Sequence, residues 1–177
     1  GYENEQKIEI AQEVYRKIGG LSVEAIHELS LRSDGSQYGY RNKMEFSFTE
    51  VDSKISLALF GRGSHEKVPL EGCELASPII NETAKEIIGW INEAKIPLRS
   101  LKTLIVRSNQ KGEVIAGLFL KDKLDVSAIA KNHSHILENV RMIRLKGVWI
   151  YYSTHQSPAS VSTELLYHEG QDFLEEE

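Results

Sequence analysis

Between Lys43 and Leu59 the chain alternates apolar and polar residues, twice over. Met44, Phe46 and Phe48 alternate with Glu45, Ser47 and Thr49, and after the polar stretch 50–54 Ile55, Leu57 and Leu59 alternate back. A period of two places the apolar set on one face of an extended chain, so this stretch is a half-buried hairpin rather than a helix. A hairpin of this kind is not stable alone; it needs further strands or a helix to cover its apolar face.

Those covering elements are legible on either side. Ser77-Pro78 supplies a helix start, Ile80, Ala84, Ile87, Ile88 and Ile91 recur at helical spacing, and Pro97 ends the run. A second hairpin follows: Leu104 and Val106 lead into the turn 108–112, and Val114, Ala116, Leu118 and Leu120 return. Asp125 caps another helix, expected to reach about Leu137. Arg141–Leu145, a Lys146-Gly147 turn and Val148–Ser153 read as a third hairpin-like pair, and Thr163–His168 as a last strand. Ahead of all this, residues 2–18 carry Ile8, Ala11, Val14, Tyr15 and Ile18 on one narrow helical stripe, closed by Gly19-Gly20. Residues 20–40 read as a connector rich in Ser and Gly.

Hairpins separated by helices, without regular βαβ alternation, define an α+β fold. The expected architecture is one antiparallel sheet built from hairpins with two packed helices, plus a projecting N-terminal helix. The chain divides into residues 1–37, helix and connector, and residues 38–177, the α+β domain. No internal repeat or low-complexity segment interrupts it.

Charge and cysteine count remove several function classes. The 177 residues include 21 Lys+Arg and 26 Asp+Glu. Residues 164–177 take six of those acidic residues and no basic ones, so the rest of the chain holds 21 basic and 20 acidic. Such a body is no general nucleic-acid coat, yet it can present a basic face. The single cysteine, Cys73, excludes an internal disulfide framework and any self-contained zinc or iron–sulfur site. No apolar run approaches the ~20 residues that span a bilayer, and no signal peptide precedes the first helix; a cytoplasmic protein without membrane association is the expectation. The absence of an apolar heptad pattern points to a monomer. Gly at position 1 and the acidic run at the far end read as a piece of a longer protein.

Two clusters carry candidate binding chemistry. In Tyr38-Gly39-Tyr40-Arg41-Asn42-Lys43 the cations Arg41 and Lys43 can hold phosphates, and Tyr38 and Tyr40 can stack on unpaired bases. A polar strand start with tyrosines packed on the sheet accounts for the same residues. In Gly61-Arg62-Gly63-Ser64-His65, followed by Lys67, glycines can let backbone N–H groups approach an anion; a surface loop is the plainer reading. His133 and His135 lie two apart on a helix and do not face each other, so they build no metal site. Ser64-His65 lacks the surroundings of a nucleophile, and His155 and His168 have no chemical partners in sequence. No glycine-rich strand–turn–helix or Walker motif is present, so the chain alone is not a self-sufficient enzyme. Cys73, in irregular backbone between a strand and a helix start, is either a small buried thiol or a cluster ligand whose partner thiolates come from another segment.

The runs YRNKMEFSF and LFGRGSHEKVPLEGCELASPIIN resemble the central domain of the RNA (uracil-5-)-methyltransferases, which form 5-methyluridine in ribosomal or transfer RNA from S-adenosylmethionine. The likeness is concentrated in residues 38–82, and the opening YENEQKIEIAQEVYRKIGG is similar to the helix that follows the family's first cysteine group. The resemblance implies a parent enzyme with a catalytic Rossmann-like domain downstream, which carries the methyl donor, a nucleophilic thiolate and a general base. It also implies a [4Fe-4S] cluster whose fourth ligand corresponds to Cys73, with three further cysteines before Gly1. Arg41, Lys43, Arg62, His65 and Lys67 would then contact the RNA backbone, with Tyr38 and Tyr40 as stacking candidates. Structured rRNA or tRNA and the protein's own catalytic domain are the implied partners. This segment alone is expected to hold neither cofactor. Two further readings compete: a stand-alone α+β regulatory or protein-interaction module without RNA, and a small hydrolase built on Ser64 and His65.

Overall fold

The computed structural model describes residues 2–27, 30–32, 35–132, 144–154, 156–157 and 159–176. The expectations placed on His133, His135, Leu137, Arg141 and His155 fall outside them. The chain divides into two compact units, Gly1–Ser36 and Gln37–Glu177. No helix among the described residues is long and apolar enough to cross a membrane.

The first unit holds α1 (Tyr2–Lys17) and α2 (Val23–His27). Glu3 and Glu5 in the first turn and Arg16 and Lys17 in the last complement the helix dipole, and Lys7 pairs with Glu3 one turn away at 2.6 Å. Gly20, at φ +61°, adopts the left-handed conformation that ends the run. The expected connector 20–40 therefore contains a helix. Ser22 starts it, its Oγ accepting from the Ala25 N–H at 3.3 Å; five residues are too few for periodicity to reveal.

Among the described residues the second unit holds a seven-stranded sheet in the order β3-β2-β1-β4-β5-β6-β7. Its strands are β1 (Lys43–Val51), β2 (Lys54–Phe60), β3 (Lys67–Pro69), β4 (Leu101–Ser108), β5 (Val114–Leu120), β6 (Leu145–Tyr152) and β7 (Glu164–Gly170). The first hairpin closes more tightly than its polar stretch suggested. Pairing continues to Val51 opposite Lys54, and Asp52 and Ser53 both take positive φ, as a two-residue turn matched to strand twist requires. β3 is a strand that the irregular composition hid. It lies at the sheet edge, where Pro69 needs no ladder partner.

The Lys146-Gly147 turn of the expected third hairpin is not formed. Residues 145–152 make one strand, parallel to β5, because α4 (Val126–Asn132) lies in the crossover that joins them, and such a connection returns the chain in the same direction. Lys146-Gly147 is strand rather than turn. Gly147 faces Gly170, and a Cβ built on Gly147 would stand 2.0 Å from the Gln171 carbonyl oxygen, so this glycine serves close backbone approach. The fold is α+β with a mostly antiparallel sheet and one parallel pair.

The core lies between one sheet face and α3 (Pro78–Glu93). Phe46, Leu104, Val106 and Leu118 meet Ile80, Ala84, Ile87 and Ile91, and Val126 of α4 joins the same cluster. Asp125 caps α4 as expected, its Oδ1 accepting from the Ala128 N–H at 3.0 Å. Ser77 occupies the N-cap of α3 but makes no side-chain cap bond; its backbone N–H donates to the Arg41 carbonyl at 3.0 Å instead.

Candidate nucleic-acid interface

Residues 39–41 run alongside residues 74–77 and tie two clusters that are far apart in sequence. The Gly39 N–H donates to the Glu74 carbonyl at 2.8 Å, and the Arg41 N–H to the Leu75 carbonyl at 2.8 Å. Gly39 turns the chain at φ +68°, a conformation that glycine adopts without a Cβ penalty. Tyr38 and Gly39 thereby line an open depression of about 600 Å³ with Glu74, Pro78 and Asn81, beside Cys73. Tyr38 and Tyr40 are 63% and 53% exposed, and Arg41 and Lys43 are exposed. Phenol faces and two cations are thus presented at the start of β1.

Cys73 is half-buried against the core, and its backbone is held at both ends. Its N–H donates to Asn81 Oδ1 at 2.9 Å, and its carbonyl accepts from Asn81 Nδ2 at 3.0 Å. A Cβ on Gly72 would come within 3.2 Å of the Asn81 carboxamide, so glycine lets the loop sit this close to α3. Among the described residues no group of three or more His, Cys, Asp or Glu is arranged to hold a metal. The chemistry here is that of a single positioned thiol.

Arg62 and His65 stand exposed in a tight turn after β2. Ala58 faces Ser47 and Phe60 faces Lys67, which puts this turn at the same end of the sheet as Lys43. Within it the Gly61 N–H donates to the Glu66 carbonyl at 2.9 Å and the Ser64 N–H to the Gly61 carbonyl at 3.1 Å. Those two donors are consumed inside the loop, leaving the Arg62, His65 and Glu66 side chains exposed. Ser64 Oγ is likewise engaged by the loop backbone, accepting from the Glu66 N–H at 3.3 Å. Lys67 points inward. Its ammonium donates to the Phe48 carbonyl at 2.9 Å and lies 5.8 Å from the centre of the Phe60 ring. Burial, and then the nearby charge of Lys121, hold it below the usual lysine range.

Two features at this end were not singled out from sequence. Arg107, exposed on β4, is the Cα partner of Lys43, which adds a third cation where β1 begins; its outward place in the alternation of β4 was the available signal. The acidic end of the chain is also tied in, as Asn109 Nδ2 donates to the Glu175 carbonyl at 2.9 Å.

No protein-family model matches the chain. It is 26% identical over 184 residues to a protein of Fusobacterium nucleatum named as an uncharacterized RNA methyltransferase, covering 99% of this chain and 39% of the relative. A protein of the same description from Caldanaerobacter subterraneus is 28% identical over 193 residues, with 99% and 41% covered. One from Clostridium tetani is 23% identical over 191 residues, with 98% and 40% covered. The chain spans about two-fifths of the length of these curated relatives. The resemblance first carried by residues 38–82 extends along nearly the whole chain, which is similar from end to end to proteins named as RNA methyltransferases.

Proposed function

We propose that this chain is the RNA-holding central domain of an S-adenosylmethionine-dependent RNA (uracil-5-)-methyltransferase. The observation that carries the reading is the joining of Tyr38–Lys43 to Cys73–Ser77 by backbone hydrogen bonds, in a chain similar over nearly its whole length to RNA methyltransferases. Arg41, Lys43, Arg62 and His65 hold RNA phosphates at one end of the sheet, and Tyr38 and Tyr40 offer stacking faces. A target uridine must leave its stack before its C5 can be methylated. This domain grips the flanking RNA while a separate catalytic domain, which binds the methyl donor, acts on the base.

Cys73 suits one role toward an iron–sulfur cluster. It offers a single thiolate on a pinned backbone, whereas such clusters are held by four cysteines. The fit is that of one ligand, with the other three supplied by a different segment of the parent protein. When bound, the cluster supplies a cross-link between that segment and the start of α3. Iron content and visible absorption of the parent protein test this: Cys73→Ser should lose both, and unchanged iron would refute the ligand role.

RNA binding is tested by titrating a structured rRNA or tRNA fragment at several salt concentrations. Each phosphate contact contributes roughly 0.7–0.9 to the slope of log K against log salt. Arg41→Ala with Lys43→Ala should weaken binding and flatten that slope. Equal affinity and slope in the double variant would contradict the assignment. Absence of any RNA binding would favour the protein-interaction module.

A further inference from the structure

Alternation along the strands sends Met44, Leu104, Ala116 and Ile150 into the core beneath α3 and leaves the other sheet face to a different set. On that face Gly117 stands between its register partners Ile105 and Trp149, and Phe119 stands between Thr103 and Tyr151. The Phe119 and Tyr151 rings stack with centroids 5.5 Å apart, and Trp149 stacks on His168 at 5.1 Å. Because Gly117 carries no side chain, the sheet surface sinks here into a depression of about 270 Å³. The side chains of Phe119, Trp149, Tyr151 and Ile105 wall it, and Arg107 and Asp172 also line it. Arg107 is paired in register with Lys43, so this depression continues directly into the basic start of β1.

We propose that this depression binds one unpaired nucleobase of RNA. The base lies over Gly117 between the aromatic side chains, Arg107 and Asp172 meet its donor and acceptor edge, and Lys43 holds the adjoining phosphate. Its volume is below the ~300–1,000 Å³ of drug-sized sites and suits a ligand the size of one base. An apolar protein side chain seated there would strip water from Arg107 and Asp172 without pairing them. A base satisfies both while its flat faces use the rings. Glu45 shares this face as the partner of Ile105, and its carboxylate takes a hydrogen bond from Ser160 Oγ at 3.4 Å. The inference rests on the RNA-binding reading above and adds a site and a ligand class to it.

The test uses the full chain, a short unstructured RNA oligonucleotide, and an oligonucleotide of equal length without bases. Trp149 is one of two tryptophans, and the other, Trp90, is 2% exposed in the core, so quenching of emission by the RNA reports on Trp149. The key variant is Gly117→Val. A Cβ there meets only Phe119 Cε2, at 3.5 Å, so the fold tolerates it while the side chain fills the depression. The expected result is quenching by normal RNA but not by the baseless chain, and a roughly ten- to hundredfold weaker affinity in Gly117→Val. The salt slope should stay unchanged, because no phosphate contact is lost. If RNA binds with wild-type affinity in Gly117→Val and leaves Trp149 emission unmoved, the base site is wrong while RNA binding stands, and the face belongs to a protein partner. If wild-type chain binds no RNA, both readings fall together.

Discussion

Asn81 hydrogen-bonds both backbone groups of Cys73, accepting from its N–H at 2.9 Å and donating to its carbonyl at 3.0 Å, where the Ala76 N–H also donates at 3.0 Å. A carboxamide offers one acceptor and two donors, so one side chain on α3 engages the backbone on both sides of the chain's single thiol and is the partner of the Cys73 N–H. Asn81→Ala leaves both backbone groups without that partner. The expected loss is about 1–3 kcal/mol in stability, read as a lower Tm. Alkylation of Cys73 should become faster, because the loop no longer holds the thiol half-buried. Unchanged alkylation kinetics would show that something else positions Cys73.

The same device recurs eleven positions along α3, on the same helix face. Asn92 Oδ1 accepts from the Ile55 N–H at 2.8 Å, and its Nδ2 donates to the Ile55 carbonyl at 2.9 Å. It fastens the β1–β2 hairpin to the helix as Asn81 fastens the cysteine loop. Asn92→Ala should cost a similar ~1–3 kcal/mol. The two sites lie about 16 Å apart along the axis, so their effects in the double variant should add to within about 0.5 kcal/mol. A larger departure in denaturant titrations would mean that the clamps share a strained helix.

Lys102 holds the segment between β6 and β7. Its ammonium, with three N–H donors, is surrounded by four oxygens, Ser153 Oγ at 2.9 Å and the carbonyls of Thr154, Ser157 and Ala159 at 2.9, 3.0 and 2.8 Å. Burial, and then the charge of Lys121, hold it below the usual lysine range. Lys102→Met keeps the aliphatic stem and removes every donor. Limited proteolysis should then cut between residues 153 and 163 several times faster than in the native chain. Equal cleavage rates would show that the segment is held by other contacts.

Glu113 gives the fold a predictable acid limb. Its carboxylate accepts hydrogen bonds from Lys146 at 2.9 Å and from Asn109 at 2.8 Å. The Lys146 bond first, and then the Asn109 bond, hold its pKa below the ordinary glutamate value. The stability it contributes is therefore complete above the usual glutamate range and is lost as pH falls through that range toward the lowered folded-state value. Glu113→Gln should lose less stability than the native chain over that window in acid titrations followed by circular dichroism. Parallel acid limbs would contradict the assignment.

Where a residue's surroundings are local, the sequence was legible. Alternation located Met44, Phe46 and Phe48, all buried, and helical spacing found the buried face of α3. What failed depended on partners distant in the chain. Gly147 looked like a turn because its reason for being glycine, the approach of Gln171, lies 24 residues further on. β3 is three residues long and contains Pro69, so only pairing with β2 reveals it. Of the site, Tyr38, Tyr40, Arg41 and Lys43 announced themselves by type, whereas Arg107 and Asn81 matter through their neighbours: Lys43 in register on β1, and Cys73 eight positions back.

The proposed function requires the parent protein to methylate uridine in structured RNA. The direct measurement is nucleoside and fragment mass spectrometry of rRNA and tRNA from cells lacking the parent gene. The account predicts that one uridine-bearing fragment loses a methyl group and that 5-methyluridine falls accordingly. Restoring the native gene should return the methyl group, while a parent carrying Arg41→Ala and Lys43→Ala should return less of it. An unchanged 5-methyluridine content in every RNA fragment would contradict the account.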